Sequence, residues 1–144
     1  MRLAIASDHG GYKLKAELAI LLHEKSGVQL EDLGTNDDKS VDYPDYAHRV
    51  ANGILEGKYD RGILVCGTGV GMAIAANRHR GIRAVNCSDT YTARLSRDHN
   101  DSNILCIGER VLGKGLAWDI VQAWLAEPAS TDDRHKRRRD KIEP

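Results

Sequence analysis

Two short segments carry residue types that could do chemistry. Cys66-Gly67-Thr68-Gly69-Val70-Gly71 puts a thiol ahead of three glycines in five positions, and Asp8-His9-Gly10-Gly11 sets a carboxylate and an imidazole ahead of two more. Glycines at a helix entrance leave backbone N–H groups open to an anion. The first segment therefore reads either as an oxyanion or phosphate cradle or as a tight turn that needs positive φ. A thiol at the start of such a helix sits where the thiolate is favoured, and the thiolate is the form that serves as nucleophile or general base. Known nucleotide loops do not fit. Counted from Gly67, the third glycine of Gly-x-Gly-x-x-Gly falls at Met72, and neither Gly57-Lys58-Tyr59 nor Gly113-Lys114-Gly115 continues as a Walker loop.

The remaining candidates are weaker. Cys87 and Cys106 lie within apolar runs and read as structural cysteines. His99 stands in the polar run Arg97-Asp98-His99-Asn100-Asp101, whereas His23, His48 and His79 have no local partner in sequence. His9, Cys66, His99 and His135 show no ligand spacing of a known zinc site, so no metal is expected. Arg134 and Arg138, four apart, would share one face of a helix. That face is either a phosphate clamp or a solvated basic surface.

These residues need elements to hold them. Leu3 to Ala6, Val28 to Leu33, Ile63 to Cys66, Arg83 to Cys87 and Ile104 to Ile107 are short runs without the in-out alternation of a half-exposed sheet. Helical periodicity follows each: Leu14, Leu18, Leu21 and Leu22 before Gly27; Tyr46 to Leu55 with Pro44 in the first turn; about Val70 to Arg78; about Tyr91 to Arg97; and Leu116 to Leu125. Five alternations with short connections predict a three-layer α/β/α Rossmann-like sandwich around a five-stranded parallel sheet. In such sheets ligands bind beyond the carboxyl ends of the strands, where both glycine segments fall. One domain over residues 1–144 is expected, with residues 130–144 a polar tail or a last helix opened by Ser130 or Thr131.

Composition narrows the partners. The chain has 144 residues, with 21 Lys plus Arg against 21 Asp plus Glu, and this balance argues against a nucleic-acid binder. No apolar run approaches the roughly 20 residues of a membrane span, and the N-terminus meets charge too soon for a secretion signal. Three widely spaced cysteines suit a reducing cytoplasm.

Taken together, Asp8-His9-x-Gly11, Asp42-Tyr43-Pro44, Cys66-Gly67-Thr68-Gly69-x-Gly71, Ser96-Arg97-x-His99-Asn100-Asp101 and Arg134-His135-x-x-Arg138 resemble the type B ribose-5-phosphate isomerases. These belong to a sugar-phosphate isomerase family that also includes galactose-6-phosphate and allose-6-phosphate isomerases. The resemblance covers nearly the whole chain. It implies an aldose-ketose isomerase of the pentose phosphate pathway without cofactor or metal, working as a homodimer that can pair into a tetramer. By the same resemblance Cys66 is the base that moves a proton between C1 and C2, and Thr68 relays it between oxygens. Gly67, Thr68, Gly69, Val70 and Gly71 hold the enediolate, His99 opens the furanose, and Asp8 and Asn100 orient the sugar. His9, Arg110, Arg134 and Arg138 contact the phosphate. Part of the family has a glutamate base at the position of Met72, which places this chain with the cysteine branch. A six-carbon sugar phosphate, or a non-catalytic sugar-phosphate sensor on the same fold, are the competing expectations. One consequence concerns topology: Cys66 follows a strand while His99 follows a helix, which puts them at opposite sheet edges and implies a site shared between two subunits.

Overall fold

The computed structural model describes residues 1–144. Five strands and six helices follow one another as β1 (Arg2–Ser7), α1 (Tyr12–Lys25), β2 (Gln29–Asp32), α2 (Tyr43–Leu55), β3 (Arg61–Cys66), α3 (Val70–Ala76), β4 (Ala84–Asn86), α4 (Thr90–Asp98), β5 (Ile104–Gly108), α5 (Lys114–Ala126) and α6 (Asp133–Arg139). All strand pairs are parallel, in the order β2-β1-β3-β5-β4. The expected α/β sandwich is therefore present, and β3 with its glycine-rich exit lies at its centre.

Strand alternation sorts the interior into two layers. Leu3, Ile5, Ile63, Val65, Leu105 and Ile107 face the side covered by α1, α4 and α5, where Leu18, Ala93 and Trp124 are fully buried. Ala4, Ala6, Leu64, Cys66, Ile104 and Cys106 face α2 and α3, against Val50, Ala51 and Met72. Cys66 thus ends β3 on the α2/α3 side. Small side chains dominate β1 on that side, which lets α2 and α3 approach closely.

Several boundaries differ from the pattern reading. β2 covers only Gln29–Asp32, since this edge strand pairs on one side and leaves Val28 and Leu33 as flanking packing residues. β4 stops at Asn86, before Cys87. Helix α3 ends at Ala76, because the Asn77 side chain leaves the helix to bond both the N–H and the carbonyl of Ala84, each at 2.8 Å. The polar tail forms α6, and its cap is Asp132, whose carboxylate accepts from the Arg134 N–H, in place of Ser130 or Thr131. No helix is long and apolar enough to cross a membrane.

Candidate active site

The carboxyl edge of the sheet assembles one group of residues through backbone hydrogen bonds. Asp8 N–H donates to the Val65 carbonyl, Glu109 N–H to the Cys66 carbonyl at 2.9 Å, and Arg110 N–H to the Gly67 carbonyl at 3.0 Å. The exits of β1, β3 and β5 are thereby laced together. Asp8 is nearly buried, and its Oδ1 accepts the Gly10 N–H at 2.8 Å. His9 Nδ1 accepts the Val41 N–H at 3.2 Å, which leaves the ring proton on Nε2 as a free donor.

Within the cradle, Cys66 Sγ accepts the Gly69 N–H at 3.0 Å. Gly69 can supply this bond because φ there is +83°, a conformation that disfavours any side chain. A Cβ at Gly69 would also lie 2.6 Å from Asn86 Oδ1 and 3.0 Å from the Ile107 backbone. The turn reading of the glycine run holds at Gly69, the one residue of the run with positive φ. Val70 N–H donates to the Thr68 hydroxyl at 3.3 Å. The N–H groups of Gly67 and Thr68 have no acceptor within the chain. Arg110 extends across Gly67, where a Cβ would stand 3.1 Å from Nη1, and its guanidinium forms no ion pair. Burial pushes the Cys87 thiol up to about 11 and the Cys106 thiol well above the ordinary thiol range, so neither accepts a proton near neutrality.

The other candidates collect at the opposite, amino edge. His99 is the C-cap of α4 and its ring stacks on His135 of α6, with centroids 4.3 Å apart and planes 9° from parallel. Ser130 N–H donates to the Asp98 carbonyl at 2.8 Å, which docks the start of the tail beside His99. Arg134 pairs only with Asp132, at 3.0 Å, and Arg138 has no ionic partner. Since β3 spans six residues, the two edges lie about 17 Å apart along the strand. One chain therefore brings Asp8, His9, Cys66, Thr68 and Arg110 together and keeps His99, Asn100, Arg134 and Arg138 apart from them.

Sequence reasoning passed over Glu109 and Lys15, and gave His135 no role beyond a rejected zinc set and a motif. Glu109 caps α1: its Oε2 accepts the Leu14 N–H at 2.9 Å where Gly11 offers no side chain. Lys15 is buried in α1 and ties Asp32 and Asn36 to it, fixing the loop that leads to Val41 and so to His9. His135, the one buried residue of α6, has its imidazole held below the ordinary value by burial and by the nearby His99 and Arg134. The available signal for Glu109 and Lys15 was a charge beside an apolar run, which normally marks a solvated face.

A thiol and a carboxylate at the strand exits of a parallel sheet, beside two open N–H groups and an unpaired guanidinium, define an α/β protein with a candidate anion site at its carboxyl edge. The comparisons with known proteins refine that class. The profile of the family described as Ribose/Galactose Isomerase matches residues 3–142, and the chain belongs to that family. It is 52% identical over 124 residues to ribose-5-phosphate isomerase B of Escherichia coli, covering 86% of this chain and 83% of that protein. The structure of ribose-5-phosphate isomerase B from Clostridium thermocellum superposes with a TM-score of 0.95 at 51% identity, over 99% of this chain and 95% of that one. A D-erythrulose-4-phosphate isomerase of Pectobacterium atrosepticum is 40% identical over 87% of this chain and 82% of its own length, so substrate length varies among the relatives.

Proposed function

We propose that the chain interconverts D-ribose 5-phosphate and D-ribulose 5-phosphate through an enediolate. The observation that carries this reading is the hydrogen bond from Gly69 N–H to Cys66 Sγ, which fixes the sulfur beside the open N–H groups of Gly67 and Thr68, where a base for C2 is needed. The thiolate takes the proton from C2 of the open-chain aldose and returns it to C1. Charge that develops on the two oxygens meets the N–H groups of the Gly67–Gly71 loop, positioned before the charge appears. Thr68 carries the hydroxyl proton from one oxygen to the other. Met72 cannot substitute as base: it is fully buried in the α2/α3 layer and has no proton to exchange.

Ring opening comes first, since the aldose is chiefly a furanose. As the C1–O4 bond breaks, His99 moves the proton of the C1 hydroxyl to the ring oxygen, leaving the C1 aldehyde, with Asn100 and Asp8 orienting the sugar hydroxyls. Arg110, Arg134, Arg138 and the His9 Nε2 donor hold the phosphate, and this remote contact fixes the reacting carbons beside Cys66. Every step is a proton transfer within reach of these side chains, so the mechanism calls for no cofactor.

Because the two groups occupy opposite edges, the working unit is a homodimer in which His99, Asn100 and the α6 arginines of one subunit close over Cys66 of the other. Val70, Ile74 and Tyr91 leave apolar surface exposed on α3 and α4, consistent with a second copy packing there. We place this dimer in the cytoplasm. A panel of four-, five- and six-carbon aldose phosphates, assayed for ketose formation and for deuterium uptake from solvent at C1 of the ketose, tests the reading. The highest kcat/KM is expected with D-ribose 5-phosphate. A six-carbon preference would reassign the substrate, and no turnover with any member would refute the isomerase.

A further inference from the structure

The exit of α4 is held by an ion cluster that neither the cradle nor the phosphate contacts explain. Asp101 adopts φ +50°, a left-handed conformation that a helix end normally gives to glycine, and its N–H closes the turn on the Arg97 carbonyl at 3.0 Å. Two guanidinium groups grip this residue. Arg97 Nη1 donates to Asp101 Oδ1 at 2.6 Å and Arg83 Nη2 to Oδ2 at 3.1 Å, while Arg83 Nε reaches the Asn100 and Asp101 carbonyls at 3.1 and 2.9 Å. Arg97 is only 5% exposed, and it also donates to the Ser102 and Glu127 carbonyls. A buried guanidinium with this many acceptors is fixed in place, and truncating one partner would leave the other charge uncompensated.

His99 and Asn100 are the two residues between Arg97–Asp98 and the clamped Asp101. Their backbone directions are set by where α4 stops and by the left-handed turn that follows. We infer that the Arg83–Asp101–Arg97 clamp is a positioning device for catalysis: it aims His99 and Asn100 out of the amino edge at the geometry ring opening needs. Asp101 is then a positioning residue that acts through His99, and the inference rests on the ring-opening role given to His99 above.

A substrate that never closes a ring supplies a readout that a merely structural role would not move. D-Erythrose 4-phosphate carries its phosphate on O4 and cannot close a furanose, whereas D-ribose 5-phosphate must be opened before its C2 can react. Asp101→Ala is expected to lower kcat/KM for D-ribose 5-phosphate at least tenfold and that for D-erythrose 4-phosphate less than threefold, in the pattern of His99→Ala. Asp101→Gly relieves the φ requirement without restoring the carboxylate and should stay as low, whereas Asp101→Asn, which keeps an acceptor and tolerates the turn, should recover part of the loss. Arg83→Met, at a less buried position, provides the same comparison if Asp101→Ala does not fold. Full recovery in Asp101→Gly, equal losses with both substrates, or no loss in any clamp variant while His99→Ala remains substrate-selective would each overturn the clamp. A His99→Ala enzyme impaired equally with both substrates would instead remove the ring-opening role on which the clamp depends.

Discussion

The two halves of the candidate site are built by different means. At the carboxyl edge the backbone does the positioning: strand exits are tied by amide-carbonyl bonds, and glycines allow the Thr68 and Val65 backbones to be approached within 2.6 to 2.7 Å of where a Cβ would lie. At the amino edge side chains do it, through the Arg83–Asp101–Arg97 cluster, the Ser96–Ser102–Trp124 hydroxyl and indole chain, and the His99–His135 stack. The difference follows the chemistry assigned to each half. An oxyanion is best met by fixed dipoles, whereas opening a ring and gripping a phosphate need groups that carry protons or full charge.

The comparison is tested most strongly by removing the thiol that the backbone-built half surrounds. Cys66→Ala should lower kcat by about three orders of magnitude while D-ribose 5-phosphate still binds, as measured by calorimetry; kcat within tenfold of the parent would break the assignment. Gly69→Ala asks whether the cradle depends on its backbone. The φ of +83° and the clash with the Ile107 backbone should cost about 1–3 kcal/mol in urea unfolding. Activity should fall further than the unfolded fraction explains, because the N–H that meets Cys66 Sγ moves. In the other half, Arg138→Ala should raise KM about tenfold with little change in kcat, as the loss of one charge-assisted contact to phosphate requires. An unchanged KM would take α6 out of the site.

The smallest expected effect is on stability. The imidazole of His135 is held below its usual 6.5 by burial, and that of His79 by burial and the adjacent His48. The unfolded chain therefore binds more protons than the folded one as pH drops below about 6.5, and stability should decline from there downward. His135→Phe, which keeps the ring stack, should flatten part of that decline and leave the rest to His79. A slope identical to the parent's would show that His135 does not contribute.

How much of this could be read from the sequence follows the same division. The sheet, its helices and the Cys66 loop were legible because backbone-built features leave marks in composition: unbroken apolar runs for buried strands, and glycine where φ must be positive. The split between Cys66 and His99 also followed from strand-helix alternation alone. What escaped were charged residues whose partners are distant in sequence. Arg83 with Asp101, Glu109 with the α1 N-terminus and Lys15 with Asp32 are such pairs, because local pattern does not reveal a contact between separate elements. His48 and His79, unremarkable one at a time, lie with ring nitrogens 2.7 Å apart for the same reason.

The central claim is that one chain holds only half of each site. Cys66→Ala and His99→Ala chains, each nearly inactive alone, can be unfolded, mixed in equal amounts and refolded together, with heterodimer formation confirmed by native mass measurement. Random pairing makes half the dimers mixed, and each mixed dimer has one site with both Cys66 and His99 intact, so about a quarter of the parent activity should return. Activity no higher than the average of the two variants, in a sample shown to contain heterodimers, would contradict a shared site.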